Sequence, residues 1–149
     1  MPTSKHKRST RREVQSRYAT ITDWNPSLTV LTRKQRGLPP EREVLHRIKF
    51  IGTLEEPLKG VTDLVGTIYP ASDVSTGKAA EPCIGSIISM RPAILLAVTF
   101  TFDEFSWLLT LAAGNQLAAC HFACNEPVRG YAPVFSLSFD KALPPEDER

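Results

Sequence analysis

The sequence predicts an α+β fold: a mainly antiparallel β-sheet of about six strands with one principal helix near residues 101–113. Three observations support this class. Short apolar segments of alternating polarity recur, twelve prolines interrupt them, and one segment combines helical periodicity with a capping signal. The length of 149 residues fits one domain. We place that domain at residues 18–143, between a disordered basic arm at 1–17 and a loose C-terminal tail at 144–149.

The predicted arm is rich in Lys and Arg, and after the initiator its one aliphatic residue is Val14. Such a segment buries too little apolar surface to offset its ordering entropy, which predicts disorder in the free protein. Thr10 and Glu13 nevertheless have capping-box spacing. Apolar residues follow at helical spacing: Val14, Tyr18 and Ile21. A partner surface is therefore expected to induce a short helix over residues 11–21.

The segment after the arm is predicted to form a turn and then an extended strand. Asp23-Trp24-Asn25-Pro26 is typical of a turn, and residues 28–32 are expected to be extended and to contact the core. A basic loop at 33–37 leads to Pro39 and Pro40. Residues 44–54 then alternate as a half-buried strand, although a short helix opening at Pro40 is the alternative for its start. One face of this strand carries His46, Ile48, Phe50, Gly52 and Leu54.

The middle of the chain is predicted to continue as strands. Residues 55–60 form a turn and residues 61–69 a second strand, giving a hairpin with a long loop. A polar loop at 70–82 follows. Residues 84–90 form a third strand that Arg91-Pro92 ends. Residues 93–100 are apolar on both faces, as in a central strand.

The strongest helix signal begins at Thr101, with Glu104 three residues later and Gly114-Asn115 at the end. Apolar residues repeat at i, i+3, i+4 and i+7: Phe105, Leu108, Leu109 and Ala112. Phe102 and Trp107 are expected in the core, and a protein-partner surface is the alternative for them. Two strands at 117–124 and 132–139, joined by a hairpin at 125–130, complete the domain.

The three cysteines are predicted to be reduced thiols rather than a metal site. On a strand, Cys120 and Cys124 lie about 13 Å apart at about 3.3 Å per residue, and His121 points to the opposite face. These positions cannot share one tetrahedral zinc ion or form a disulfide. With Cys83 elsewhere, no metal and no cofactor are expected. The absence of an export signal and of a 20-residue apolar segment predicts a cytoplasmic protein without a membrane partner.

Motifs for catalysis are lacking in the sequence. It contains no phosphate-binding loop, no nucleophile elbow and no carboxylate pair whose spacing compels acid–base chemistry. A cysteine nucleophile would need His46 or His121 to approach it across the fold. The protein is therefore expected not to be an enzyme, and a small enzyme of unknown reaction is the third hypothesis.

Charge asymmetry supplies the functional hypothesis. Residues 1–50 hold twelve Lys/Arg and four Asp/Glu, a net charge of +8, whereas residues 51–149 hold six and twelve, a net charge of −6. The distribution favours an arm that engages an anionic partner, either nucleic acid without sequence specificity or an acidic protein surface. A solvated tail that only aids solubility is the alternative. The expected phosphate-binding residues are Lys5, Lys7, Arg8, Arg11, Arg12, Arg17, Arg33, Lys34 and Arg36.

The alternative hypothesis is a protein-interaction or assembly subunit, either a homo-oligomer or a member of a larger complex. Sheet edges and the 101–113 helix would make its contacts. Tyr18, which could also stack on a base, and Trp107 are the expected partner-interface residues.

Overall fold

The computed structural model describes residues 13–71, 83–114 and 116–149. Within these residues the fold has seven strands, one α-helix α1 (Phe102–Ala113) and a short 3-10 helix (Glu146–Glu148). The strands are β1 (Val14–Arg33), β2 (Glu41–Leu58), β3 (Val61–Pro70), β4 (Gly85–Ser89), β5 (Ile94–Phe100), β6 (Ala119–Asn125) and β7 (Ala132–Asp140). Most of the predicted arm and of the polar loop at 70–82 lies outside the described residues.

The strands close into a barrel in the order β1-β2-β3-β5-β4-β7-β6, and β6 pairs with β1 to complete it. Neighbouring strands run antiparallel except β3 and β5, which are parallel. The prediction of a mostly β fold with one helix is confirmed. The predicted sheet of about six strands is wrong, because the structure has seven strands and closes on itself. Closure follows from β1, a 20-residue strand that pairs with β2 on one side and β6 on the other.

Strand β1 includes two segments for which the local sequence predicted a turn or a helix. The predicted turn at 23–26 is wrong, since these residues pair with β2 after a bulge that absorbs Thr22. Residues 14–20, within the segment expected to become helical, pair with β6 instead. Strand β1 therefore begins four residues before the predicted domain boundary at Tyr18. The bulge keeps the inner face in phase, because Ile21 faces inward before it and Trp24 faces inward after it.

Strand β2 confirms the predicted alternation, with Ile48, Phe50, Gly52 and Leu54 buried. It is longer than expected and begins at Glu41, so the alternative of a short helix opening at Pro40 is wrong. The predicted long loop at 55–60 is also wrong. The turn into β3 consists of Lys59 and Gly60, both at positive φ (50° and 78°), as a two-residue hairpin turn requires.

The core fills the barrel interior. Trp24 packs against Phe50 and Phe139 at ring-centroid distances of 5.4 and 5.2 Å, and its indole Nε1 donates to the Leu117 carbonyl at 2.9 Å. Phe50 is fully buried, and its ring occupies the space that a side chain at Gly66 would need. The absence of a side chain at Gly66 therefore allows the Phe50 ring to lie against β3.

Helix α1 covers one end of the barrel. The predicted capping box is confirmed, because the Thr101 side chain accepts from the Glu104 N–H and the Glu104 carboxylate accepts from the Thr101 N–H. Phe105 and Leu108 of α1 join the core. Neither described helix has the length and apolar character needed to cross a membrane.

The C-terminal residues, predicted to be loose, include the short 3-10 helix and contact the end of β2 through Arg149, while residues 145–149 are exposed. Arg149 donates to the Pro144 carbonyl at 2.6 Å and forms an ion pair with Glu55 at 3.3 Å. The physical reason is that the short 3-10 helix directs the Arg149 side chain back toward the end of β2.

The packing of Phe50 against Gly66 gives a stability prediction. Changing Gly66→Ala should lower the free energy of unfolding by about 1–3 kcal/mol in urea denaturation, because the added methyl group displaces a buried ring. The control Gly114→Ala, at φ −80° with no atom closer than 3.5 Å to the new methyl, should be neutral or slightly stabilising. Equal unfolding energies for the two variants would contradict the packing argument.

Candidate nucleic-acid interface

Strands β1 and β2 extend beyond the barrel as a two-stranded ribbon. Their pairing continues to Arg33 and Glu41, whereas β6 pairs with β1 only up to Thr20 and β3 pairs with β2 only from Ile48 onward. Seven residue pairs, from Ser27–Arg47 to Arg33–Glu41, therefore lack a third strand among the described residues. We call residues 27–47 the β1–β2 ribbon. At about 3.3 Å per residue it is about 23 Å long.

The ribbon is basic, and its charge is concentrated at the tip. It contains five Lys/Arg and two Glu, a net charge of +3. Three of the predicted phosphate-binding residues, Arg33, Lys34 and Arg36, lie together at the turn. Arg33 forms an ion pair with Glu43, while Lys34 and Arg36 are exposed and make no ion pair with a described residue. The two unpaired cations are therefore available to an external anion.

Arg17 lies apart from this cluster, at the opposite end of β1. Its guanidinium donates to the carbonyls of Ser16 at 2.8 Å and Pro57 at 3.2 Å and to the Gln15 side chain at 3.3 Å. The structure thus engages Arg17 with its own chain and does not group it with the ribbon tip. The other predicted arm residues lie outside the described part of the chain: Lys5, Lys7, Arg8, Arg11 and Arg12.

Tyr18 lies on the outer face of the barrel beside β6. Its ring contacts that of His121 at a centroid distance of 4.4 Å, in a shallow groove of about 570 Å³ that Asp140 and Lys141 also line. The predicted role of Tyr18 as an interface residue remains a prediction. Tyr18 and the basic tip are separated by fifteen positions of β1, so they do not form one site.

Trp107 is exposed rather than buried. It is 71% accessible, and Phe102 and Leu111 on the same helix are 51% and 39% accessible. The core placement predicted for Trp107 and Phe102 is therefore wrong, because the face of α1 that carries Phe105 and Leu108 turns into the barrel. The alternative, a partner surface on the outer face of α1, stays a prediction.

The inner face of the ribbon carries an apolar surface that sequence analysis missed. Leu28, Val30 and Val44 continue the inward row of Phe50 and Ile48 past the end of the barrel and are 44–63% exposed. The predicted contact of residues 28–32 with the core is wrong, because the ribbon leaves the barrel before Leu28. The signal in the sequence was the uncharged segment 24–32, which local rules assign to the core.

The described histidines and cysteines do not assemble into a reactive group. The His46 ring contacts Phe105 at 6.0 Å and the His121 ring contacts Tyr18. Among the described residues no hydrogen bond joins either imidazole to a thiol, and no group of three His, Cys, Asp or Glu could hold a metal ion. Cys120 and Cys124 face the core as predicted, whereas Cys83 is exposed.

Burial changes the chemistry of the two inner thiols. It raises the pKa of Cys120 from 9.0 to about 12 and that of Cys124 to about 11, the latter offset in part by the Arg17 guanidinium. Both are neutral at physiological pH and therefore poor nucleophiles.

Comparisons of this chain with protein-family models, with curated proteins and with solved structures found no match. The geometry of the barrel, the ribbon and the basic tip is therefore the basis for assigning a function.

The thiol environments predict a labelling pattern and a pH dependence. Ellman's reagent should modify Cys83 alone in the native protein and all three cysteines after denaturation.

Because folding raises the pKa of Cys120, the unfolded chain loses that proton first as the pH rises. Stability should thus be intact below pH 9 and fall toward pH 12. Between pH 9 and pH 12 the urea midpoint of Cys120→Ala should decrease less than that of the control Cys83→Ala. Identical pH profiles would contradict this assignment.

Proposed function

We propose that this protein is a non-enzymatic nucleic-acid-binding protein whose β1–β2 ribbon contacts the phosphate backbone. The observation that carries the proposal is the projection of a two-stranded ribbon of net charge +3, with its unpaired cations at the tip. The major groove of B-DNA, about 12 Å wide, admits a two-stranded β-ribbon. Phosphate contacts from Lys and Arg supply affinity without reading sequence, so binding should tolerate changes of base sequence.

Charge on the barrel favours contact through the projecting parts. Residues 51–149, which supply five of the seven strands, have a net charge of −6. A polyanion is repelled by this part of the molecule and attracted to the ribbon tip, which extends away from it. Lys34 and Arg36 would contact phosphates, and Arg33 would support them while it remains paired with Glu43.

The arm adds a second, separate contact. It joins the barrel at Val14, which begins the strand that carries the ribbon tip at its other end. Val14 and Arg33 are up to about 60 Å apart along β1 at about 3.3 Å per residue. Arm and tip would therefore engage different stretches of the nucleic acid rather than one basic patch.

Charge removal at the tip provides the first test. The variant Lys34→Gln/Arg36→Gln should weaken binding to a duplex of arbitrary sequence and lower the slope of log affinity against log salt by about two, because each of these cations neutralises one phosphate. The control Arg91→Gln/Arg129→Gln removes the same charge from exposed positions outside the ribbon and should leave the slope nearly unchanged. Equal losses in the two variants, or affinity independent of salt, would refute ribbon binding.

Removal of the arm provides a companion measurement. The truncation is made before Glu13, because a deletion through residue 17 would remove the first four residues of β1. A chain that starts at Glu13 should retain the barrel by circular dichroism. Its slope of log affinity against log salt should decrease further. If this truncation abolishes the slope while the tip variant does not change it, binding belongs to the arm alone.

A second candidate function is that of an assembly subunit that makes its contact through α1. The exposure of Trp107, Phe102 and Leu111 on one helix favours it, because aromatic side chains are enriched at protein interfaces.

This candidate predicts that Trp107→Ala abolishes capture of a protein partner from a nuclease-treated extract while leaving the thermal unfolding midpoint nearly unchanged. Leu108→Ala, the buried neighbour, should instead lower the midpoint. A partner captured equally well by wild type and Trp107→Ala would exclude this surface.

A further inference from the structure

The free edge of β1 has the composition of a strand that pairs with another strand. From Trp24 to Thr32 the chain contains no charged residue, and residues 27–32, Ser-Leu-Thr-Val-Leu-Thr, contain neither proline nor glycine. Among the described residues this part of β1 pairs with β2 alone. Exposed edges are normally protected by lysines, prolines or bulges. In β1 the bulge lies at Thr22 and the proline is Pro26. Both come before residues 27–32, which are therefore unprotected.

The ribbon also lacks the layer needed to bury its apolar face. Leu28, Val30 and Val44 are 63%, 48% and 44% exposed on the inner face. Two paired strands alone are marginally stable in water, whereas three or more strands with a shared apolar face are stable. A strand added at the β1 edge would provide hydrogen-bond partners for the backbone and extend the apolar face.

We propose that the occupant of this edge is a second copy of the chain, which pairs antiparallel to the first through residues 27–33. Pairing centred on Val30 is self-complementary: Val30 lies opposite its own copy and Leu28 lies opposite Thr32. The product is a four-stranded sheet in the order β2-β1-β1-β2. Its inner face combines two sets of Leu28, Val30 and Val44.

Charge selects the antiparallel arrangement and the identity of the partner. A parallel pair would set the two basic tips, each with Arg33, Lys34 and Arg36, side by side. Antiparallel pairing separates the tips and brings Arg36 of one copy toward Trp24 and the exposed Asp23 of the other. A nucleic acid is a poor occupant of this edge, because residues 24–32 offer no cation to its phosphates. The inference therefore does not depend on the proposed function.

The test is the mass of the full-length protein by light scattering after size exclusion, over a wide concentration series. Wild type should be a dimer. Val30→Lys places like charges opposite each other at the symmetry axis and should give a monomer. The matched control Leu45→Lys adds the same charge to β2 at an exposed position on the opposite face of the ribbon and should remain largely dimeric. A monomeric wild type, or equal behaviour of the two variants, would overturn edge pairing.

Cross-linking gives a second readout that does not require a disruptive substitution. In the double variant Val30→Cys/Cys83→Ser, mild oxidation should join two chains, because Cα atoms of directly opposed antiparallel residues are about 4.5–5.5 Å apart and within disulfide range. The single variant Cys83→Ser should stay un-cross-linked, since Cys120 and Cys124 are buried. Failure of the double variant to cross-link while the protein is dimeric would place the dimer contact elsewhere.

Discussion

The pairing of β1 on both of its sides is the constraint on which the rest of the structure depends. Its first seven residues bond to β6 and close the barrel, and its later residues bond to β2 alone. The same strand therefore closes the barrel around the core and continues into the ribbon that carries the basic tip. Without closure by β1, the β6–β7 hairpin would lose its second neighbour and Cys120, Phe122 and Cys124 would face water.

Local signals in the sequence predicted what local interactions determine. The capping box at Thr101 and the alternation from Ile48 to Leu54 depend on residues close in the chain, and both are present in the structure. The continuity of β1 through Asp23 to Pro26 could not be predicted this way. Turn-forming residues are tolerated there because a bulge accommodates the extra residue and because no second strand needs the N–H that Pro26 lacks.

The candidate interface was predictable in composition and not in arrangement. Arg33, Lys34 and Arg36 were identified from charge, yet their position at the tip of a projecting ribbon follows from the long pairing of β1 with β2. Arg17 carries the same charge but donates to backbone carbonyls at the other end of the strand. Trp107 was expected in the core because helical periodicity marks an apolar stripe without stating how much of it the barrel end can accept.

The bulge at Thr22 has a consequence for how this fold can diverge. Before it, odd-numbered residues of β1 face the barrel interior, and after it even-numbered residues do so. Deleting Thr22 would place Trp24 two positions after Ile21, so a regular strand without the bulge would hold both side chains inward and keep the register with β2. Homologues that are one residue shorter at this point should therefore keep the same inward row, so a one-residue gap at Thr22 is the expected way to align them.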